Sequence, residues 1–288
     1  KSMALQFISG NSISDRTAVM YETICAQACR HPDKNYIFIV PEQATLQVQR
    51  ELSAVHPDHV LGNIDVVSFG RLAHRLLNEQ AGKQAVLLDD TGKSMILRRI
   101  AGKEKQSLEV FGRNLNQSGF IQELKSVISE FSAYKVTSEV LEGVLPTLEK
   151  RPALQKKLRD IEKVYTKELG EEYLTAEELL GVLSRLVPQS EKIRGSIIIL
   201  DGFTGFTPLQ YQVLEEMLQC AEHVVCAVTE DEKGGREELF SMSREMKNKL
   251  LALAKEHHVS CEEKNHRYVT KKRKVAEELA HLEKQLYQ

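Results

Sequence analysis

The chain has 288 residues, 42% hydrophobic and 28% charged, enough for one large domain or two ordinary ones with a full core. A formal net charge of −2 gives no global attraction to nucleic acid or membrane, so any such contact must come from a local surface. No apolar run approaches the ~18 residues needed to span a bilayer, no secretory segment follows the N-terminus, and the five cysteines lack CxxC spacing, so a cytoplasmic protein with reduced thiols is expected.

Lys1 and Ser2 precede Met3 and read as an expression scar. Leu5–Ser9 then predicts a strand and Thr17–Arg30 a helix. Between them, Gly10-Asn-Ser-Ile-Ser-Asp-Arg-Thr17 has the place and spacing of a phosphate-binding loop, GxxxxGK[ST]. Such a loop needs glycines for backbone N–H groups to cradle phosphate, a lysine on the phosphates and a hydroxyl on magnesium. Gly10 and Thr17 are kept, but Asp15 stands for the second glycine and Arg16 for the lysine. The competing reading is an ordinary strand-to-helix turn capped by Ser14 or Asp15.

Tyr36–Val40 and Ile64–Ser68 predict two further strands, followed by helices over Thr45–Val55 and Phe69–Glu79. Pro41-Glu-Gln-Ala-Thr45 and Ser68-Phe-Gly-Arg71 lie where these strands end, the rim at which open α/β sheets bind ligands. There Gln43, Thr45 and Ser68 can hydrogen-bond phosphate oxygens, Phe69 can stack on a base and Arg71 can neutralise charge. Core packing for Phe69 and Leu72, and a solvated helix position for Arg71, are the alternatives.

From Asp89 to about Leu186 strand signals nearly vanish and helical periodicity persists. Thr137, Pro152 and the capping box Thr175-Ala-Glu-Glu178 mark helix starts. Ile197–Leu200 is again a strand, ending in Asp201, with a helix over Leu209–Cys220 and a strand over Val224–Val228. An apolar strand delivering a carboxylate is how nucleotide-binding sheets present an acid to magnesium. A working ATPase of this kind usually follows it with a glutamate; here Gly202 follows. The expectation is α/β: a parallel-sheet domain in two parts, 3–88 and 191–288, with an all-helical subdomain inserted over 89–190. A separate helical domain is the alternative, disfavoured because no Gly/Pro/Ser-rich linker flanks the block. Lys271–Lys274 and Arg98, Arg99, Lys103 and Lys105 are candidate phosphate contacts or simply solvated charge.

Gly10…Thr17, Val40-Pro-Glu-Gln-Ala-Thr45, Val67-Ser-Phe-Gly-Arg-Leu-Ala73, Leu200-Asp-Gly-Phe203 and Phe206-Thr-Pro-Leu-Gln210 occur in the order seen in the N-terminal part of AddB subunits. The sequence resembles that family of the bacterial AddAB helicase–nucleases, RexB relatives included, over nearly its whole length. The resemblance implies a RecA-like P-loop NTPase domain of the UvrD helicase type, with a helical insertion. It implies DNA contacts at Pro41–Thr45 and Ser68–Arg71, Asp201 as the magnesium-side acid if Mg-ATP binds, and DNA ends, single-stranded DNA and an AddA-type motor subunit as partners. The iron–sulfur cluster of such subunits belongs to a C-terminal nuclease domain, so no cofactor is expected in this stretch. With Arg16, Asp15 and Gly202 at three hydrolytic positions, the expected role is a helicase-like DNA-binding scaffold without its own motor. A slow ATPase using Arg16, and a scaffold that binds only protein through its helical block, remain alternatives.

Overall fold

The computed structural model describes residues 3–11, 14–80, 90–115, 117, 119–169, 176–230, 239–261, 266–269, 278 and 281. In chain order they form β1 (Ala4–Gly10), α1 (Arg16–Arg30), β2 (Tyr36–Ile39), α2 (Thr45–Val55), β3 (Ile64–Val67), α3 (Phe69–Gln80) and α4 (Asp90–Lys103). There follow α5 (Phe120–Ala133), α6 (Ser138–Val144), α7 (Pro152–Leu169), α8 (Ala176–Leu186), β4 (Ile197–Leu200), α9 (Pro208–Cys220), β5 (His223–Thr229), α10 (Ser241–Glu256) and β6 (His266–Tyr268).

The strands make one sheet of order β3-β2-β4-β5-β1-β6, and every pairing in it is parallel. Parallel sheets carry helices on both faces, which is why these strands read as unbroken apolar runs. One face presents Ile8, Phe38, Val66, Ile199 and Val225 to Met20, Tyr21 and Ile24 of α1 and Val48 and Leu52 of α2. The opposite-facing residues Phe7, Ile37, Ile39, Ile198, Leu200 and Cys226 are buried as well. β4 and β1 share the sheet although the helical block separates them in sequence, which is the RecA-like α/β arrangement with an all-helical insertion.

The chain divides into two compact units, one comprising 1–77, 183–206 and 210–288, the other 78–182 with 207–209. In the second, α4, α5, α6 and α7 pack around Leu97, Ile100, Leu124, Ile128, Leu141 and Val164. Asp160 of α7 is fully buried and accepts the backbone N–H groups of Glu109 (2.9 Å), Val110 (2.7 Å) and Phe111 (2.8 Å), pinning the segment between α4 and α5. Thr137 caps α6 by accepting the Val140 N–H at 3.4 Å, and α7 begins at Pro152. β6 departs from the sequence expectation: three residues added in register beside Phe7–Ser9 carry no apolar run to announce them. The capping box at Thr175, the basic run Lys271–Lys274 and the Asp89 boundary lie outside the described residues.

Candidate functional site

The carboxyl ends of the strands bring the phosphate-loop segment and Asp201 to one edge. Gly10 closes β1 beside Thr229 of β5, and β5 in turn separates β1 from β4, whose end delivers Asp201. Asp201 is 6% exposed, and its Oδ2 accepts the Tyr21 hydroxyl at 2.9 Å. Burial pushes the Asp201 carboxyl up from its ordinary value, against the Tyr21 hydrogen bond, the Arg16 charge and the Gly202 N–H, which all pull it down. The Tyr21 phenol is raised too, by burial first and by the Asp201 charge second.

Arg16, the first residue of α1, donates from Nη1 to Thr229 Oγ1 at 2.8 Å. Thr17 follows it, half-buried on the first turn. Asp15 occupies the N-cap position without a side-chain capping bond, and Ser14 Oγ donates instead to the Asn11 carbonyl at 2.8 Å. The capping role expected of either side chain is therefore not the one the fold uses. A Cβ on Gly10 would lie 2.2 Å from Ser14 Oγ, so the loop closes tightly on that glycine. Gly202 has φ of +80°, and a Cβ there would sit 3.2 Å from Pro41 Cδ. A glutamate at this place would meet both backbone strain and a proline ring.

The raised carboxyl at Asp201 has a consequence for stability. A group whose folded pKa is raised stabilises the fold only below its unfolded value, ~3.9, and loses that contribution as pH rises through the folded value. Ionised Asp201 therefore burdens the fold at neutral pH. Asp201→Asn is expected to be more stable than the parent at pH 7, with the advantage shrinking as the pH is lowered toward ~4. Urea unfolding at several pH values measures this; a net loss at pH 7 would show that the carboxylate is held by favourable interactions.

Farther along the same edge, Glu42 joins the two predicted DNA-contact segments. Its Oε1 accepts Arg71 Nε at 2.8 Å, and its Oε2 accepts the Ser68 hydroxyl. Ser68 Oγ also accepts the Arg71 backbone N–H at 3.2 Å, while Thr45 Oγ1 donates to the Glu42 carbonyl at 3.0 Å. The Ser68 hydroxyl, and then Arg71, hold the Glu42 carboxyl below its ordinary value despite partial burial. Thr45 and Ser68 are buried, so their hydroxyls serve this brace. Gln43 and the Arg71 head remain at the surface.

Phe69 is 4% exposed, its ring packed 5.9 Å from Phe203 and 6.2 Å from Phe206 between centroids. The aromatic surface open to solvent at this edge belongs to Phe203 and Phe206, both half-buried, and not to Phe69. Of the expected residues, Gly10, Arg16, Thr17 and Asp201 thus gather around β1, β4 and β5, while Gln43, Thr45, Ser68, Phe69 and Arg71 gather around β2 and β3. Sequence reading missed Tyr21, Glu42, Phe203 and Phe206. Glu42 and Phe203 lay inside recognisable motifs; Tyr21 carried no signal beyond its place on the apolar face of α1.

The chain matches the family model described as ADDB, N-terminal over residues 7–283. It is 36% identical over 260 residues to the B subunit of the ATP-dependent helicase/deoxyribonuclease from Lachnoclostridium phytofermentans, covering 88% of this chain and 23% of that protein. It is also 36% identical over 270 residues to the protein of the same name from Desulforudis audaxviator, covering 90% and 23%. The Clostridium tetani counterpart is 31% identical over 297 residues, covering 99% and 26%. The chain therefore spans about a quarter of the length of these curated relatives. With a match reaching from β1 past β6, the chain belongs to the AddB N-terminal family.

Proposed function

We propose that this stretch is a DNA-holding, helicase-like platform within a DNA end-processing helicase/deoxyribonuclease, working beside an AddA-type motor subunit and hydrolysing no ATP itself. The observation that supports the second half is the buried hydrogen bond from the Tyr21 hydroxyl to Asp201 Oδ2, which engages one oxygen of the carboxylate that the resemblance puts on the magnesium side. Phosphoryl transfer needs a phosphate cradle, a cation on the γ-phosphate and an oriented water. The residues present suit Mg-ATP poorly: Asp201 is buried with a raised pKa, Arg16 is turned to Thr229, and Gly10 is covered by Ser14. Gly202 offers no base, and a side chain there would crowd the Pro41 ring on a left-handed backbone.

DNA-stimulated ATP turnover by the chain is therefore expected to stay below about 1 per second, the lower end of ordinary enzyme rates. Neither Arg16→Lys nor Gly202→Glu should raise it. The second should also destabilise the fold by about 1–2 kcal/mol, the cost of the left-handed backbone for a residue with a Cβ. Turnover restored by either variant, in a steady-state phosphate-release assay, would refute the reading.

For the DNA half, the supporting features are the names of the relatives and a rim carrying an amide, a guanidinium and aromatic edges. Stacking on Phe203 would be worth roughly 1–3 kcal/mol by alanine substitution. Arg71 is already paired with Glu42, so a phosphate must share its guanidinium with that carboxylate. In the assembled complex, Arg71→Ala should weaken single-stranded DNA binding and lower the salt slope by nearly one counterion. Glu42→Gln should strengthen binding. Affinity measured at two salt concentrations tests both. Unchanged values in Arg71→Ala, Gln43→Ala and Phe203→Ala would leave a scaffold that binds protein and not DNA.

A further inference from the structure

We propose that the opposite edge of the sheet carries a second site, one that binds a small organic phosphate: a phosphomonoester on a flat, weakly polar body such as a nucleoside monophosphate. A cavity of about 440 Å³ opens there between the C-terminal half of α1 and the first residues of β2, β4 and β5. Its volume falls in the usual range for small-molecule sites, ~300–1,000 Å³. It is a different place from the phosphate loop, because Tyr36, Ile197 and His223 begin the strands that elsewhere end near Gly10 and Asp201.

The floor is apolar, formed by Ile8, Ile24 and Val225. The Tyr36 ring is buried at the cavity wall, and its hydroxyl makes no hydrogen bond among the described residues. A phenol at the cavity wall can donate to, or accept from, a ligand that enters. Gln6 enters from the neighbouring strand, also without a side-chain hydrogen bond among the described residues, and offers a donor and an acceptor side by side.

The charge at the mouth selects an anion. Among the described residues Glu222 is the one carboxylate in the lining, and Lys34 engages it at 2.7 Å. Arg30 makes no ion pair among the described residues. Its charge is not consumed in capping α1 either, because Asn63 Nδ2 donates to the carbonyls of Ala28, His31 and Lys34 at 3.3, 3.1 and 2.8 Å. A planar guanidinium is matched to phosphate oxygens, and His31 stands beside it at the same mouth. Phosphate at Arg30, body over Ile8 and Val225, and polar edge toward Gln6 and Tyr36 use every unpaired group just named. The site is independent of how the rim near Asp201 functions.

Titration calorimetry of the 288-residue chain with dAMP, deoxyadenosine and inorganic phosphate tests it. Saturable binding of dAMP is expected, with each fragment weaker by at least about tenfold. Arg30→Glu should weaken dAMP by at least about tenfold, and Tyr36→Phe, which keeps the ring, by about threefold, the effect of one ordinary hydrogen bond. Cooperative unfolding at the parent temperature certifies that each variant is folded. Absence of saturable dAMP binding, equal affinity for inorganic phosphate, or parent-like affinity in Arg30→Glu would each overturn the proposal. So would loss of dAMP binding in Asp201→Ala with Arg30→Glu unaffected, which would place the nucleotide at the other edge.

Discussion

Asp160→Ala is expected to destabilise the helical unit by about 3–5 kcal/mol, the cost of breaking a buried charged interaction from one side. The carboxylate is completely buried and accepts three backbone N–H groups within 2.9 Å. The segment those groups belong to, Glu109–Phe111, has no regular ladder to fall back on, only a short 3-10 turn over Phe111–Arg113. Each buried donor left without an acceptor costs about 1–3 kcal/mol. Water entering the vacated volume satisfies some of them, so the expected total lies below the sum of three full penalties. Asp160→Asn keeps an acceptor oxygen and should lose roughly half as much. Urea denaturation of the chain, followed by hydrogen exchange at Glu109–Phe111, measures both effects. A loss below about 1 kcal/mol would show that the segment finds other acceptors. If the helical unit is what docks the partner subunit, the same variant will also weaken the complex.

Phe69→Ala should cost about 3–5 kcal/mol, the usual penalty for deleting a buried aromatic ring. The ring is 4% exposed and is packed against Phe203 and Phe206, the second of which meets Tyr211 at 5.5 Å. Removing it opens a cavity under both half-exposed rings and loosens the turn after Asp201 that carries them. DNA binding lost in this variant would therefore report a damaged platform and not a lost stacking partner. Phe69→Leu, which refills most of the volume, should recover most of the stability. Phe203→Ala tests stacking more directly, since that ring is already partly in solvent. Thermal unfolding compared with DNA affinity in the three variants separates the two effects. A stability change within about 0.5 kcal/mol for Phe69→Ala would place the ring outside the core.

Five of the six strands among the described residues are legible because burial on both faces leaves an imprint that is local in sequence. Ile197–Leu200 was placed to the residue, and Tyr36–Ile39 and Ile64–Val67 to within one. The same imprint put Asp201 and Gly10 at strand ends, where ligand-binding groups collect. Of the rim residues the motifs named, Gln43 and Arg71 lie at the surface, while Thr45, Ser68 and Phe69 are buried.

Hydrophobic periodicity reports how much of each residue is covered, and not by what. β6 is held by the hydrogen-bond ladder it shares with β1 and buries too short a run to leave a pattern, so only the assembled sheet reveals it. Tyr21 and Asp201 are 180 residues apart, and their hydrogen bond exists because α1 lies over the sheet beside the end of β4. Glu42 reaches Ser68 and Arg71 only because β2 and β3 pair in parallel and end side by side. Phe69 followed a strand as an exposed stacking ring would, and packing against Phe203 and Phe206 made it core. Composition and spacing by themselves determined the α/β class and the helical block between two stretches of strand–helix alternation. Which groups meet, and so whether Asp201 faces a cation or a phenol, depended on contacts between distant segments that no local pattern encodes.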